Sequence, residues 1–143
     1  MIDYPRILFP LDLSDAAPKV AEHVASMAAQ YGSEVHVVNV IPTYHGHTFP
    51  SYDQVMDEIK DRTAKTIGEF IAEHLPEVSE TVIHVVVGHT GRRLLAYMAE
   101  HDISLVIMGT HGRSGVGKLF FGSVAQRVVQ SSPVPVMTVH PGE

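Results

Sequence analysis

The chain has 143 residues, about the length of one domain, and its 45% hydrophobic content excludes an intrinsically disordered protein. The 10 lysine and arginine residues against 16 aspartate and glutamate residues give a net charge of −6, which argues against a nucleic-acid-binding surface. The absence of cysteine excludes disulfides and thiolate metal sites. No signal-peptide pattern or membrane-length apolar stretch is present, so we expect one cytoplasmic domain, residues 1–143, without a membrane partner.

The first third of the chain predicts a strand, a helix and a second strand. Residues 6–11 form a short apolar run that is typical of a strand covered on both faces, with Pro10 at its end. Apolar residues then recur at three- and four-residue steps, which predicts an amphipathic helix with Pro18 in its first turn and Gly32 at its end. Glu34–Ile41 is rich in β-branched residues and predicts the second strand. The candidate N-caps of the helix are Asp12, Ser14 and Asp15.

The same alternation continues to the end of the chain. A helical stripe covers residues 55–74, and Thr81–Val87 predicts a third strand. A short helix follows with Thr90 as its candidate cap, and residues 105–108 predict a fourth strand. The remaining segments are glycine-rich residues 109–122, a helix over residues 123–130 and a strand over residues 135–139.

Strands that are apolar on both faces and alternate with helices predict an α/β fold, a parallel, doubly wound sheet with helices on both faces. Periodicity does not decide the strand order. A flavodoxin-like 2-1-3 order and a Rossmann-like 3-2-1-4-5 order both remain open. Each places a ligand crevice at the carboxyl ends of the strands, where the winding reverses.

The glycine-rich segment begins at this edge of the sheet. Its glycines let backbone N–H groups approach an anion, and Gly122 and Ser123 open the next helix, whose N-terminus favours phosphate. Arg113 and Lys118 add cations to the loop, and His111 is a further candidate contact. Without a ligand, the same segment would be a tight connection only.

Two familiar nucleotide motifs fit this segment only in part. Leu119 stands where a P-loop requires serine or threonine for magnesium. Phe120 occupies the place of the third glycine in a dinucleotide fingerprint. We therefore reject both motifs.

Histidine is abundant, with 10 residues, but no metal site is predicted. His45 and His47 have the spacing of two ligands, yet no third ligand is evident, so we expect surface side chains. His36 and His84 lie in apolar strands and are expected to be hydrogen-bonded structural groups. No nucleophile elbow, HExxH motif or acid–base carboxylate pair is present, so no catalytic residues are assigned.

The spacing Gly109-x2-Gly112-x9-Gly122-Ser123 resembles the G-2x-G-9x-G-[S/T] pattern of ATP-binding universal stress proteins. Residues 105–115 and 122–128 resemble that family closely, and residues 7–14 and 133–136 resemble its first and last strands. The likeness covers the whole chain as one single-domain copy.

This resemblance implies the 3-2-1-4-5 order and an adenine nucleotide, ATP or its relatives AMP and ADP, between the first and fourth strands. Val40 would contact adenine through its backbone, and Gly109 would approach the ribose. The base and ribose would be lined by Pro10, Asp12 and Met108. The phosphates would be contacted by Gly112, Gly122, Ser123 and Val124, to which the loop cation Arg113 is added as a candidate.

The resemblance further implies a homodimer formed through the last strand, between Val134 and Val139. We expect a nucleotide-responsive stress-survival or regulatory protein with an unidentified protein partner, and not an enzyme. One alternative is slow ATP hydrolysis or autophosphorylation that uses Asp12 or Ser123 with a divalent ion such as Mg²⁺. Another is a dimerisation module that never uses nucleotide. Asp12 and Ser123 are also plausible helix caps.

Overall fold

A computed structural model of the chain describes residues 1–43, 50–111 and 122–141. Within these ranges, five strands and four helices alternate: β1 (Arg6–Pro10), α1 (Ala17–Tyr31), β2 (Glu34–Ile41), α2 (Tyr52–His74), β3 (Thr81–Val87), α3 (Thr90–Glu100), β4 (Leu105–Gly109), α4 (Ser123–Ser131) and β5 (Val136–Val139). The strands form one sheet in the order β3-β2-β1-β4-β5, and every neighbouring pair is parallel. The predicted α/β class and the 3-2-1-4-5 order are confirmed, and the 2-1-3 order is excluded.

The core forms two layers, one on each face of the sheet. Ile7 and Phe9 of β1 pack with α1 and α2 in the first layer. Leu8, between them, points the other way and packs with Leu94 of α3 and Val128 of α4 in the second. All three β1 side chains are at most 1% exposed. Because successive side chains of a strand point to opposite faces, a run buried throughout requires covering helices on both sides.

The predicted element bounds agree closely with the structure. β2 and β3 match residue for residue, and α1 ends at Gly32, whose φ of 63° is the left-handed conformation that glycine adopts readily. Pro18 lies in the first turn of α1, as predicted. β1 ends one residue earlier than predicted, β4 ends one residue later, and α2 begins at Tyr52. β5 begins after Pro135, which has no N–H to donate.

The predicted N-caps are wrong. Ala16 occupies the cap position of α1 and makes no side-chain cap hydrogen bond. Asp12 instead accepts the Ser14 N–H through Oδ1 at 3.0 Å, which closes a turn before the helix. At α3 the cap is His89, not Thr90, because the His89 ring nitrogen accepts the Arg92 N–H at 3.3 Å. Asp15 likewise does not cap α1.

The two histidines of the sheet, buried His36 and half-buried His84, belong to one aromatic cluster. His36 contacts Tyr97 Oη through Nδ1 at 2.6 Å and Glu34 Oε1 through Nε2 at 2.5 Å, which confirms it as a hydrogen-bonded structural group. His84 packs its ring against Tyr97 and His101, with ring centroids 5.2 and 5.1 Å apart. His45 and His47 lie outside the described residues.

None of the helices in the described ranges combines length with enough apolar character to span a bilayer.

We expect Ile67→Ala to lower the free energy of unfolding by about 2–5 kcal/mol, because Ile67 is fully buried between α2 and the sheet and its loss leaves a cavity. Chemical denaturation would measure the change. The control is Glu69→Ala on the exposed side of the same helix, expected to change stability by about 0.5 kcal/mol or less. Equal losses in both variants would contradict this packing.

The His84 cluster predicts acid sensitivity of the fold. Burial lowers the pKa of His84 below its usual 6.5, and the nearby His101 and His36 lower that pKa further. Between the two pKa values the unfolded chain therefore binds more protons, so stability decreases as the pH falls below 6.5.

We expect His84→Gln to flatten the dependence of stability on pH below 6.5, measured by denaturation from pH 8 down to about pH 5. The exposed His23→Gln is the control and should keep the wild-type slope. An unchanged slope in His84→Gln would show that other groups cause the acid sensitivity. Glu34 acts at lower pH, because the hydrogen bond from His36 lowers its pKa below the usual 4.5, so its contribution to stability is lost only as the pH falls below that value.

Candidate functional site

A cavity of about 690 Å³ opens at the carboxyl ends of β1, β2 and β4 and is bordered by the starts of α1 and α4. Its volume lies in the range of small-molecule sites. From β1 the sheet extends to β2 and β3 on one side and to β4 and β5 on the other, so the winding reverses at this point. Parallel α/β sheets bind ligands in the crevice outside the strand ends at such a reversal.

The predicted site residues converge on this cavity. Every one of them that the structure describes contributes to the lining: Pro10, Asp12, Val40, Met108, Gly109, Gly122, Ser123 and Val124. They come from four stretches of chain: the end of β1, the end of β2, the end of β4 and the start of α4. Gly112 and Arg113, together with Lys118, lie outside the described residues.

The crevice exists because the recorded pairing of β1 with β4 is short. Ile7 pairs with Leu105 and Leu8 pairs with Val106. Beyond these two pairs, the described parts of β1 and β4 are not paired. On its other edge, β1 pairs with β2 as far as Pro10. The ends of β1 and β4 therefore border the cavity side by side.

The backbone of β2 also opens toward the cavity, at Val40. The last rung of the β1–β2 ladder is the Leu11 N–H donating to the Val38 carbonyl at 2.9 Å. The next rung would join the Val40 N–H to the Leu11 carbonyl, and it is not formed among the described residues. Asn39 Nδ2 donates to that carbonyl instead, at 2.8 Å. Because parallel pairing uses the N–H and C=O of alternate residues, both backbone groups of Val40 face the side on which the cavity lies.

The N-terminus of α1 borders the cavity, but its backbone donors are already engaged. The Ala17 N–H donates to the Ser14 carbonyl at 3.0 Å, and the Lys19 N–H donates to the Ala16 carbonyl at 3.1 Å. Pro18 has no N–H. The first turn of α1 therefore leaves no free amide for a ligand within the described chain.

The N-terminus of α4 differs, because its first amides remain free of intrahelical partners. Gly122 is the N-cap, no side chain caps the helix, and the first intrahelical bond is that of the Gln126 N–H to the Gly122 carbonyl at 2.9 Å. Ahead of that bond lie the amides of Ser123, Val124 and Ala125. The Gly122 N–H donates to the Thr110 carbonyl at 2.7 Å, which holds the start of α4 against the end of β4. Ser123 is thus a lining residue and not a cap.

Two side chains give the cavity its described titratable groups. Asp12 lines the cavity and accepts the Ser14 N–H through Oδ1, so Oδ2 takes no part in that bond. His111 has Nδ1 at 2.8 Å from Thr110 Oγ1, while its Nε2 is buried without a hydrogen-bond partner in the described part of the chain. A buried nitrogen left unpaired costs about 1–3 kcal/mol, so a polar ligand would satisfy it.

Several polar lining residues were not assigned to the site from the sequence, among them Asn39, Thr63 and Thr90. Asn39 had a signal, since it is the one amide side chain within an otherwise apolar half of β2. Thr63 and Thr90 carry no such signal, because their helices present polar residues all along the exposed side. In the described ranges, no group of three histidine, aspartate or glutamate residues is placed to hold a metal ion.

Comparison with known proteins identifies the family of the chain. The model of the universal stress protein family matches residues 3–140. A universal stress protein of Thermus aquaticus is 30% identical over 139 residues, which cover 95% of this chain and 98% of the relative.

Two solved structures share the fold. A universal stress protein in complex with cAMP superposes with a TM-score of 0.72 at 19% identity and covers 99% of this chain and 100% of its own. The universal stress protein from Archaeoglobus fulgidus in complex with dAMP superposes with a TM-score of 0.61 at 24% identity, covering 96% and 98%. With the family model matching nearly its whole length, the chain belongs to the universal stress protein family.

Proposed function

We propose that the chain binds an adenine nucleotide, ATP or its relatives ADP and AMP, in the cavity at the strand ends. One observation carries the proposal: a single cavity is bordered by the first amides of α4, which have no partner among the described residues, and by the open backbone edge of Val40. The first feature suits a phosphate and the second suits a base.

The Val40 end of the cavity suits adenine. Its N–H and C=O form a donor and an acceptor side by side, and adenine presents a ring nitrogen acceptor beside an amino donor. Pro10 and Met108 supply apolar walls to the same cavity, and Met108 is only 5% exposed. A flat apolar base with one polar edge fits such a slot.

The middle of the cavity suits a ribose. The unused carboxylate oxygen of Asp12 can accept a hydrogen bond from a ribose hydroxyl, or contact Mg²⁺ that accompanies ATP. Gly109, at the end of β4, lines the same cavity. A Cβ built at Gly109 would meet Val20 at 3.5 Å, an ordinary contact, so the protein itself does not require glycine there. A ligand that approaches the backbone closely at this position would require glycine there.

The α4 end of the cavity suits phosphate. The amides of Ser123, Val124 and Ala125 precede the first intrahelical bond and lie at the positive end of the helix dipole, where anions are stabilised. We assign Gly112 and Arg113 to the same phosphate group on the glycine pattern. His111 Nε2 is a further donor when it carries the proton. The two solved relatives hold cAMP and dAMP, each an adenine with one phosphate, which supports this assignment.

We further propose that the protein acts as a homodimer and that nucleotide occupancy alters its interaction with a protein partner, rather than driving catalysis. β5 is an edge strand that pairs only with β4 in the described sheet. The segment from Val134 to Val139 would satisfy its open backbone edge by pairing with a second copy. The described cavity contains a carboxylate but no paired general base, which favours binding over turnover.

We expect magnesium ATP to bind one-to-one to the refolded, nucleotide-free chain, and Gly109→Ala to weaken that binding at least about tenfold, because the new methyl group would occupy space beside the ligand. Calorimetric titration measures both affinities. The control is Gly68→Ala on α2, where a Cβ meets nothing within 4 Å and binding should be unchanged. A flat titration of folded wild-type protein would refute the proposed function, and wild-type affinity in Gly109→Ala would refute the position of the ligand.

Asp12→Asn tests the ribose contact and the enzymatic alternative together. Asparagine retains the oxygen that accepts the Ser14 N–H, so the turn and the stability should persist, while the charge-assisted contact is lost. We expect nucleotide affinity to fall several-fold, by about a factor of 10 at most. Assaying ADP in the same samples should show no turnover. ADP released by wild type and absent in Asp12→Asn would establish slow hydrolysis instead.

A further inference from the structure

Asn39 is a half-buried amide in the carboxyl-terminal half of β2, and its side chain crosses from β2 to the end of β1. Its partner is the Leu11 carbonyl, so the amide nitrogen must be the donor. The bond length of 2.8 Å is that of a well-formed hydrogen bond. Asn39 thereby joins two strands at the one place where their backbone ladder stops.

The same carbonyl is the natural partner of the Val40 N–H. Earlier rungs follow the regular parallel pattern, from the Glu34 N–H bonded to the Pro5 carbonyl up to the Leu11 N–H bonded to the Val38 carbonyl, both at 2.9 Å. Continuing that pattern by one step would pair Val40 with Leu11 and bury the Val40 donor within the sheet. The chain after Leu11 turns away through Leu13, whose φ is 59°, so no later residue of β1 competes for this edge.

We propose that Asn39 is a positioning residue for the bound nucleobase: by holding the Leu11 carbonyl, it keeps the Val40 N–H out of the sheet ladder and free to donate to the base. Asn39 acts through Val40 and need not touch the ligand. This inference rests on the proposed function, since it assigns the selection of the base to one side chain of that same site.

Amide hydrogen exchange of the nucleotide-free protein tests the ladder directly. In wild type, the Val40 amide should exchange at least about tenfold faster than the Val38 amide, which is within the ladder, and AMP should slow it. In Asn39→Ala the Leu11 carbonyl is released, and the Val40 amide should be protected before any nucleotide is added.

Calorimetric titration with AMP tests the consequence for binding. Asn39→Ala should weaken AMP binding about tenfold, the effect of one lost hydrogen bond. The matched control is Ser33→Ala, which removes the bond from Ser33 Oγ to the Tyr4 carbonyl at the opposite end of the same strand pair. Ser33→Ala should lower stability without changing the AMP affinity. Asn39→Asp, which has the same shape but no donor, should behave as Asn39→Ala does and serves if the alanine variant fails to fold.

The outcomes separate this inference from the proposed function. A wild-type protein that binds AMP, with unchanged affinity in folded Asn39 variants, would overturn the role of Asn39 alone. A protected Val40 amide in nucleotide-free wild type would also overturn it, whatever the affinities are. A folded wild-type protein that binds no adenine nucleotide would overturn the proposed function and this inference with it.

Discussion

The burial of β1 on both faces is the constraint on which the rest of the structure depends. Ile7 and Leu8 are fully buried in opposite layers, so helices must cover both sides and the chain must wind outward from β1 in both directions. Two neighbours, β2 and β4, therefore border one central strand. The crevice at its carboxyl end is a consequence of that winding, and it exists before any ligand-specific residue is considered.

The backbone groups that remain available at this crevice are those that the fold does not engage in its own hydrogen bonds. The first amides of α1 donate to the carbonyls of Ser14 and Ala16. The start of α1 is therefore not an anion site, although it lies beside the cavity. Within the described residues the first amides of α4 have no such partners, and the Val40 N–H forms no rung with the Leu11 carbonyl, which accepts from Asn39. The proposed ligand contacts are thus the hydrogen bonds that the folded chain leaves unmade.

The titratable cluster of the sheet is separate from the cavity. Glu34, His36 and His84 lie toward the amino-terminal half of β2 and the middle of β3, and none of them lines the cavity. Tyr97 completes the cluster, and burial raises its pKa to about 12, so it stays neutral and hydrogen-bonded near neutral pH. Protonation of this cluster therefore acts on the stability of the fold, while the charge of Asp12 acts on the site.

Local pattern alone determined the strands and helices of this protein. A strand covered on both faces leaves a short apolar run, and a helix packed on one side leaves a repeat of 3.6 residues. The strand order stayed open until the glycine spacing from Gly109 to Ser123 indicated the family, because periodicity does not record which strands are neighbours. That resemblance also identified the lining residues. Only the tertiary structure decided the caps and the role of Asn39. A cap depends on the backbone conformation around it, and Asn39 acts through Leu11, 28 residues away in sequence and adjacent only once β1 and β2 have paired.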